Sequence, residues 1–288
     1  MNSSAVTEAL EARRQKIRLW YLMYVVGCVV VVILFFLNRQ IMAAFALVLL
    51  VLYMFALRPM MKKLRLEFSR ENVRVSTGAL FEDFSHEVKK GIAPEVIDQA
   101  GLVPVSLKKG FISREYMTGR NGRLRVEAAD ISSSYMTQQG GKQRHAWVAG
   151  AWTHVTLPAG TGQDLRIVHK GMMDEGLCRK YFEHRQGLVC LRTGNETVDE
   201  HFFVYGAEGG LPSSRLLRLL VDLQQYTPGQ VSLALRADKL HVLITSRFLS
   251  FSGLPLNEPV SQKLVDTMPF PEMEKILELA RACDTQRQ

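Results

Sequence analysis

The chain of 288 residues carries a formal net charge of +8, with 47% hydrophobic and 22% charged residues. The excess charge is local: residues 1–18 hold four basic and two acidic groups, residues 58–74 six and two, and residues 75–288 are close to balance with 25 and 24. A nucleic-acid-binding domain carries a basic surface of its own, so the balance beyond residue 75 excludes nucleic acid as the expected partner.

Two apolar runs lie between the basic segments. Residues 19–37 and 41–57 contain no charged side chain. A helix rises about 1.5 Å per residue and needs about 20 residues to cross a hydrocarbon core, so both runs are long enough. Backbone in lipid must satisfy its own hydrogen bonds, which makes both runs helices. A cleaved signal peptide would have a shorter apolar stretch and no second one directly behind it. Only Asn38, Arg39 and Gln40 separate the runs, so a tight turn joins them into a hairpin. Arg13, Arg14, Lys16 and Arg18 flank one end, and Arg58, Lys62, Lys63 and Arg65 flank the other. Basic flanks stay in the cytosol, which puts both termini inside and the turn outside. Trp20, Tyr21, Tyr24 and Tyr53 suit an interfacial aromatic belt. Arg58, Lys62, Lys63 and Arg65 are the expected contacts with an anionic inner leaflet, worth about 1 kcal/mol per cation.

The expected organisation is a basic tail over 1–18, the hairpin over 19–57, a juxtamembrane helical region over 58–100 and an α+β domain over 101–288. Pro59 predicts a kink in a helix that continues into the cytosol, with Met60, Met61, Leu64 and Phe68 turned to lipid or a partner. Residues 76–101 read as two short helices, the second started by Pro94 and ended by Gly101. Asn121-Gly122 between two extended runs is a hairpin signal. Residues 144–158 and 164–170 read as strands, with Gly150 marking a bulge or close packing. A short helix over 172–186 and short buried strands at "LVCLR" and "EHFFVYG" follow. In "PSSRLLRLLVDLQQYT", Leu216, Leu217, Leu220 and Leu223 make one face of a helix, expected to lie against the sheet. Arg215, Arg218, Asp222 and Gln225 make the opposite face, a candidate surface for a partner. "QVSLALRADKLHVLITS" reads as two strands about a turn, and "FPEMEKILELARAC" as a closing helix. Strands in hairpins with inserted helices indicate an α+β fold with a mainly antiparallel sheet.

Chemistry is poorly marked. No phosphate loop, dinucleotide fingerprint, HExxH, GxSxG or paired CxxC occurs. Cys178, His184 and Cys190, with His169 nearby, are a conceivable metal set, but their spacing fits no familiar zinc site and the cysteines lie among apolar neighbours. His154 and His201 read as strand residues satisfied by hydrogen bonds, and no spacing pairs them with Ser132, Ser133 or Ser134. Trp147, Trp152 and Tyr135 could stack on a base or sugar, although sheet core is the simpler reading. No catalytic residue, metal or cofactor is therefore assigned.

The segments "FISREYMTGRNGRLRVEAADI", "WVAGAWTHVTLP", "DEHFFVYG", "LLRLLVDLQ" and "VSLALRADKLHVLIT" resemble the bacterial family designated domain of unknown function 3137, over most of residues 60–285. That resemblance implies two adjacent spans in the bacterial cytoplasmic membrane and a cytosolic α+β domain. It carries over no catalytic residues, and it implies a membrane protein similar to the LemA family as a partner. The expected function is a membrane-anchored, non-catalytic binding or assembly module that meets a protein partner or a second copy of itself. The alternative is an enzyme at the inner membrane face acting on a membrane-derived or nucleotide substrate.

Overall fold

The computed structural model describes residues 3–37, 39–104, 110–139, 142–160, 162–249 and 259–284. The chain divides into two compact units, Met1–Ser76 with Phe251–Met268, and Thr77–Ser250 with Pro269–Gln288. This division falls at 76/77, whereas the sequence reading begins the α+β domain at residue 101, and a late segment belongs with the first unit.

The first unit is built on two long antiparallel helices. Helix α1 (Ser3–Leu37) runs unbroken from the basic tail through the first apolar run. Helix α2 (Arg39–Leu52) already contains Arg39 and Gln40, so the connection is shorter than the three-residue turn expected, and Asn38 itself lies outside the described residues. A π-helical turn, Tyr53–Leu57, leads into α3 (Arg58–Asn72). Proline lacks an N–H and its ring presses on the carbonyl four residues back. For Pro59 that is Phe55, inside the widened turn, so the expected break is taken up as a local unwinding and the helix goes on. Both long helices are apolar enough to cross a membrane, and their most apolar windows are 0% and 6% buried. The core helix of a soluble protein would bury that surface; here Phe36 and Phe55 stand 80% and 77% exposed.

The second unit opens with β1 (Glu82–Glu87), where a short helix was expected. Helix α4 (Pro94–Ala100) follows as read, with Gly101 closing it at φ 62°. Strands β2 (Ile112–Asn121) and β3 (Leu124–Gln139) form the Asn121-Gly122 hairpin, and β4 (Lys142–Thr156) pairs along β3. Strand β5 (Leu165–His169) precedes α5 (Glu175–Cys178), which passes into a π-helical turn, Arg179–His184. Then come β6 (Val189–Leu191), α6 (Glu196–His201), β7 (Phe202–Gly206), α7 (Ser214–Tyr226), β8 (Val231–Arg236) and β9 (Lys239–Thr245). Helix α8 (Gln262–Asp266) belongs to the first unit, and α9 (Glu272–Asp284) returns to the second.

All strand pairings among the described residues are antiparallel, in the order β1-β2-β3-β4-β9-β8-β5-β7-β6. The fold is α+β, as the sequence indicates. The β8–β9 hairpin is inserted between β4 and β5. Gly150 permits that insertion: a Cβ there would stand 2.1 Å from the carbonyl oxygen of Ile244, so close packing, not a bulge, explains the residue. Side chains alternate across the pleat. One face, with Ala129, Ile131, Trp152, Val168, Tyr205 and Leu243, is covered by α4 and by Cys178, Tyr181 and Phe182 around the second π-turn. On the other, α7 packs against α9 and β8, and α9 against β9. The four leucines of α7 are buried as expected, but α9 is their main cover rather than the sheet alone. Strand β6 is mostly exposed, against the expectation of a buried strand.

Candidate functional site

The first candidate is the charged end of the hairpin. Helix α1 is about 52 Å long at 1.5 Å per residue, so its first 16 residues project well beyond the apolar run. They pack against α3. Val6, Leu10 and Ile17 meet Leu64, Phe68, Val260 and Val265, with Met60 and Met61 at the edge. The apolar side of α3, expected to face lipid or a partner, is thus covered by the protein's own chain. The signal was present in the tail, where Val6, Leu10 and Ile17 recur at helical spacing.

Polar contacts fix this bundle. Arg14, only 4% exposed, donates to both carboxylate oxygens of Glu11 at 2.8 and 2.6 Å. Glu11 also accepts the Val260 N–H at 2.7 Å. The bond from Arg14 holds the Glu11 carboxyl down at about 2. Fully buried Asn72 donates through Nδ2 to the carbonyls of Leu264, Val265 and Thr267, at 3.2, 2.9 and 2.7 Å. Segment 259–268 is clasped onto the two long helices by these bonds.

The cations flanking the apolar runs divide into paired and unpaired. Arg13 pairs with Glu67, Arg14 with Glu11 and Arg74 with Glu71. Lys16, Arg58, Lys62, Lys63, Arg65 and Arg70 are exposed, and no ion pair engages them among the described residues. Between α1 and α3 lies a cleft of about 340 Å³ lined by Arg13, Lys16, Ile17, Met60, Lys63, Leu64 and Glu67. Of the four cations read as membrane contacts, Lys63 alone lines it.

The second candidate lies in the sheet domain. The ladders bring Thr118, Glu127, His154, His241, Ala234, Arg166 and Tyr205 into one cross-strand row. Sequence reading missed this row, because it depends on β9 pairing with β4. Tyr116 donates its hydroxyl to Glu127 at 2.7 Å, and His154 Nε2 stands 3.7 Å from the same carboxylate oxygen. The His154 and His241 rings lie 5.6 Å apart. Both are buried, and their Nδ1 atoms have no hydrogen-bond partner among the described residues, which corrects the expectation of a satisfied His154. Burial holds His154 down to about 4 and His241 to about 3, so both are neutral near pH 7. His241 lines a cleft of about 320 Å³ with Val96, Gln99, Arg236, Asp238 and Lys239. A neutral imidazole there could accept a proton from a bound group, but the row brings no nucleophile to it.

Other sequence-marked residues do not converge. Arg215, Arg218, Asp222 and Gln225 are exposed on α7, and the first three border a hollow of about 510 Å³ with Asn195 and Thr197. Cys178 is buried, its thiol pushed up to about 12 by burial, while Cys190 is exposed. No group of His, Cys, Asp and Glu among the described residues could hold a metal ion. His201 ends α6 instead of lying in a strand, and it stacks on His169 at 6.4 Å. Ser133 is opposite Val148, far along the ladder from His154. Trp152 is core, whereas Trp147 is 66% exposed; the side chain of Tyr135 lies outside the described residues.

No protein-family model and no curated protein matches the chain. Among solved structures it is similar to the crystal structure of the mycobacterial trehalose monomycolate transport factor A, TtfA, at 11% identity and a TM-score of 0.36, over 74% of this chain and 94% of that one. A likeness that loose supports no argument about fold or function.

Proposed function

We propose that the protein is a membrane-anchored, non-catalytic binding or assembly module whose α+β domain is held at the cytosolic face of the bacterial cytoplasmic membrane. One observation carries the reading: the two charged ends of the apolar hairpin pack into one helical bundle, with Lys16, Arg58, Lys62, Lys63 and Arg65 exposed and unpaired beside the apolar runs. Cations retained on the cytosolic side would orient such a hairpin with both ends inside, against an anionic leaflet. The near-neutral sheet domain and the exposed α7 face fit a surface for a protein partner, a second copy or a LemA-like membrane protein. A reporter fused at Gln288 is expected to be active in the cytosol, and a cysteine placed at Gln40 to react with an impermeant reagent on intact cells. Access to Gln288 from outside would overturn the orientation. Affinity purification in mild detergent names the partner.

A second reading rests on the His241 cleft, where a neutral imidazole meets Asp238 and two cations. It makes the domain an enzyme for an anionic, membrane-derived or nucleotide substrate. It gains if His241→Gln abolishes a function that Arg218→Ala leaves intact, and fails if His241→Gln is without effect.

A further inference from the structure

We propose that the cleft between α1 and α3 holds the headgroup of one anionic phospholipid, with Lys16 and Lys63 on the phosphate and Ile17, Met60 and Leu64 beneath the glycerol and upper acyl carbons. This deepens the membrane-anchor reading and rests on it. Four observations converge. The first is depth: Lys16 lies three residues before the first apolar run and Lys63 six after the second. At 1.5 Å per residue these are about 5 and 9 Å beyond the hydrocarbon, and the headgroup layer on each side is about 5–8 Å thick. Lysine stems bridge the remaining distance by bending toward the interface.

The second is charge. Glu67, the lining residue farthest from the apolar runs, neutralises Arg13, while Lys16 and Lys63 have no carboxylate partner among the described residues. The cleft therefore keeps two cations free for an anion. The third is the floor: Ile17 and Leu64 are 4% and 2% exposed, an apolar base that free phosphate could not use. The fourth is size, since about 340 Å³ accommodates a headgroup and leaves the acyl chains to the bilayer. Lys62 and Arg65 are equally exposed but lie outside this lining, so they attract lipid only through the general field.

The test compares two charge-matched variants of the full-length protein. Intact protein in mild detergent is offered equimolar phosphatidylglycerol and phosphatidylcholine, and bound lipid is counted by native mass spectrometry. One phosphatidylglycerol is expected per chain, in about tenfold preference. Lys16→Gln/Lys63→Gln should reduce that preference to near parity, while Lys62→Gln/Arg65→Gln, with the same loss of charge, should keep at least half of it. No preference in the unaltered protein, or equal losses in both variants, overturns the proposal. Stoichiometric binding of another chain across the cleft in place of lipid overturns it as well. An alkaline carbonate wash of native membranes separates the two levels. Release of the protein would sink the hairpin reading itself, whereas retention without lipid preference sinks the cleft alone.

Discussion

The helical unit and the sheet domain differ in which buried polar atoms go without a partner. In the helical unit, among the described residues, these are oxygens, Ser69 Oγ and Asn72 Oδ1, while the nitrogens are bonded: Arg14 meets Glu11, and Asn72 reaches three carbonyls. In the sheet domain, Nδ1 of His154, Nδ1 of His241 and Nε1 of Trp152 are buried with no hydrogen-bond partner among the described residues. Apolar contact is non-directional, so a short segment docking on two long helices needs directional bonds to choose its place. A nine-stranded sheet has its register set by the apolar pattern of its strands and by its turns, and does not need polar side chains for that purpose. Directional bonds thus place the docked segment in the one unit, while the unpartnered ring nitrogens of the other are tolerated at a cost of about 1–3 kcal/mol each.

That contrast breaks most sharply at Leu220, fully buried on α7. Leu220→Ala should cost the sheet domain about 2–5 kcal/mol, and exposed Arg218→Ala no more than about 0.5 kcal/mol. Hydrogen exchange on the full-length protein in detergent reads both, with protection falling in β8 and β9 and unchanged over residues 6–17. Asn72→Ala is the converse. Three carbonyls lose their donor, at about 1–3 kcal/mol, and residues 259–268 should become susceptible to proteolysis while β8 and β9 keep their protection. If the sheet domain loosened as well, the two units would not be separable.

The smallest effect is a slope with pH. Free imidazoles titrate at 6.5, while burial holds folded His154 to about 4 and His241 to about 3. Their contribution is complete above pH 6.5 and is lost as the pH falls toward 3, since the unfolded chain then takes up protons that the folded one refuses. Asp130 acts with the opposite sign. Burial raises its carboxyl from 3.8 to about 7, against the Leu249 N–H that it accepts at 2.8 Å. Its contribution is complete below 3.8 and is lost as the pH rises through 7. Between pH 6.5 and 5 two imidazoles outweigh one carboxyl, and the domain should weaken by about 1.4 kcal/mol per unit. In His154→Gln/His241→Gln the slope should flatten, because His169, lowered by burial, remains to oppose Asp130. A slope unchanged by the double substitution would mean that His154 and His241 are not neutral in the folded domain.

Much of the fold is legible because local patterns and tertiary structure agree. Leucines at helical spacing give α7, and Gly122, at φ 59°, sits where the Asn-Gly turn needs it. Strand β1 is lost to reading because "EDFSHE" is acidic and alternates only through Phe84 and His86; pairing with β2 overrides its local preference. The candidate sites were half visible. The apolar side of α3 could be read, but its cover came from a tail whose charges drew attention first and from a segment almost 200 residues later. The histidine row had no local signature, since strand register alone brings β4 and β9 together.

The clasp at Asn72 also sets a clock. Its bond to the Val265 carbonyl spans 193 residues, so a growing chain makes its two long helices well before the bundle can close. At about 5–20 residues per second on the ribosome, Leu64 and Phe68, which Val6, Leu10 and Ile17 can already meet, wait roughly 10–40 s for Val260 and Val265. Throughout that interval the side of α3 that residues 259–268 will cover stands open, so the helical unit is completed long after its two long helices have been made.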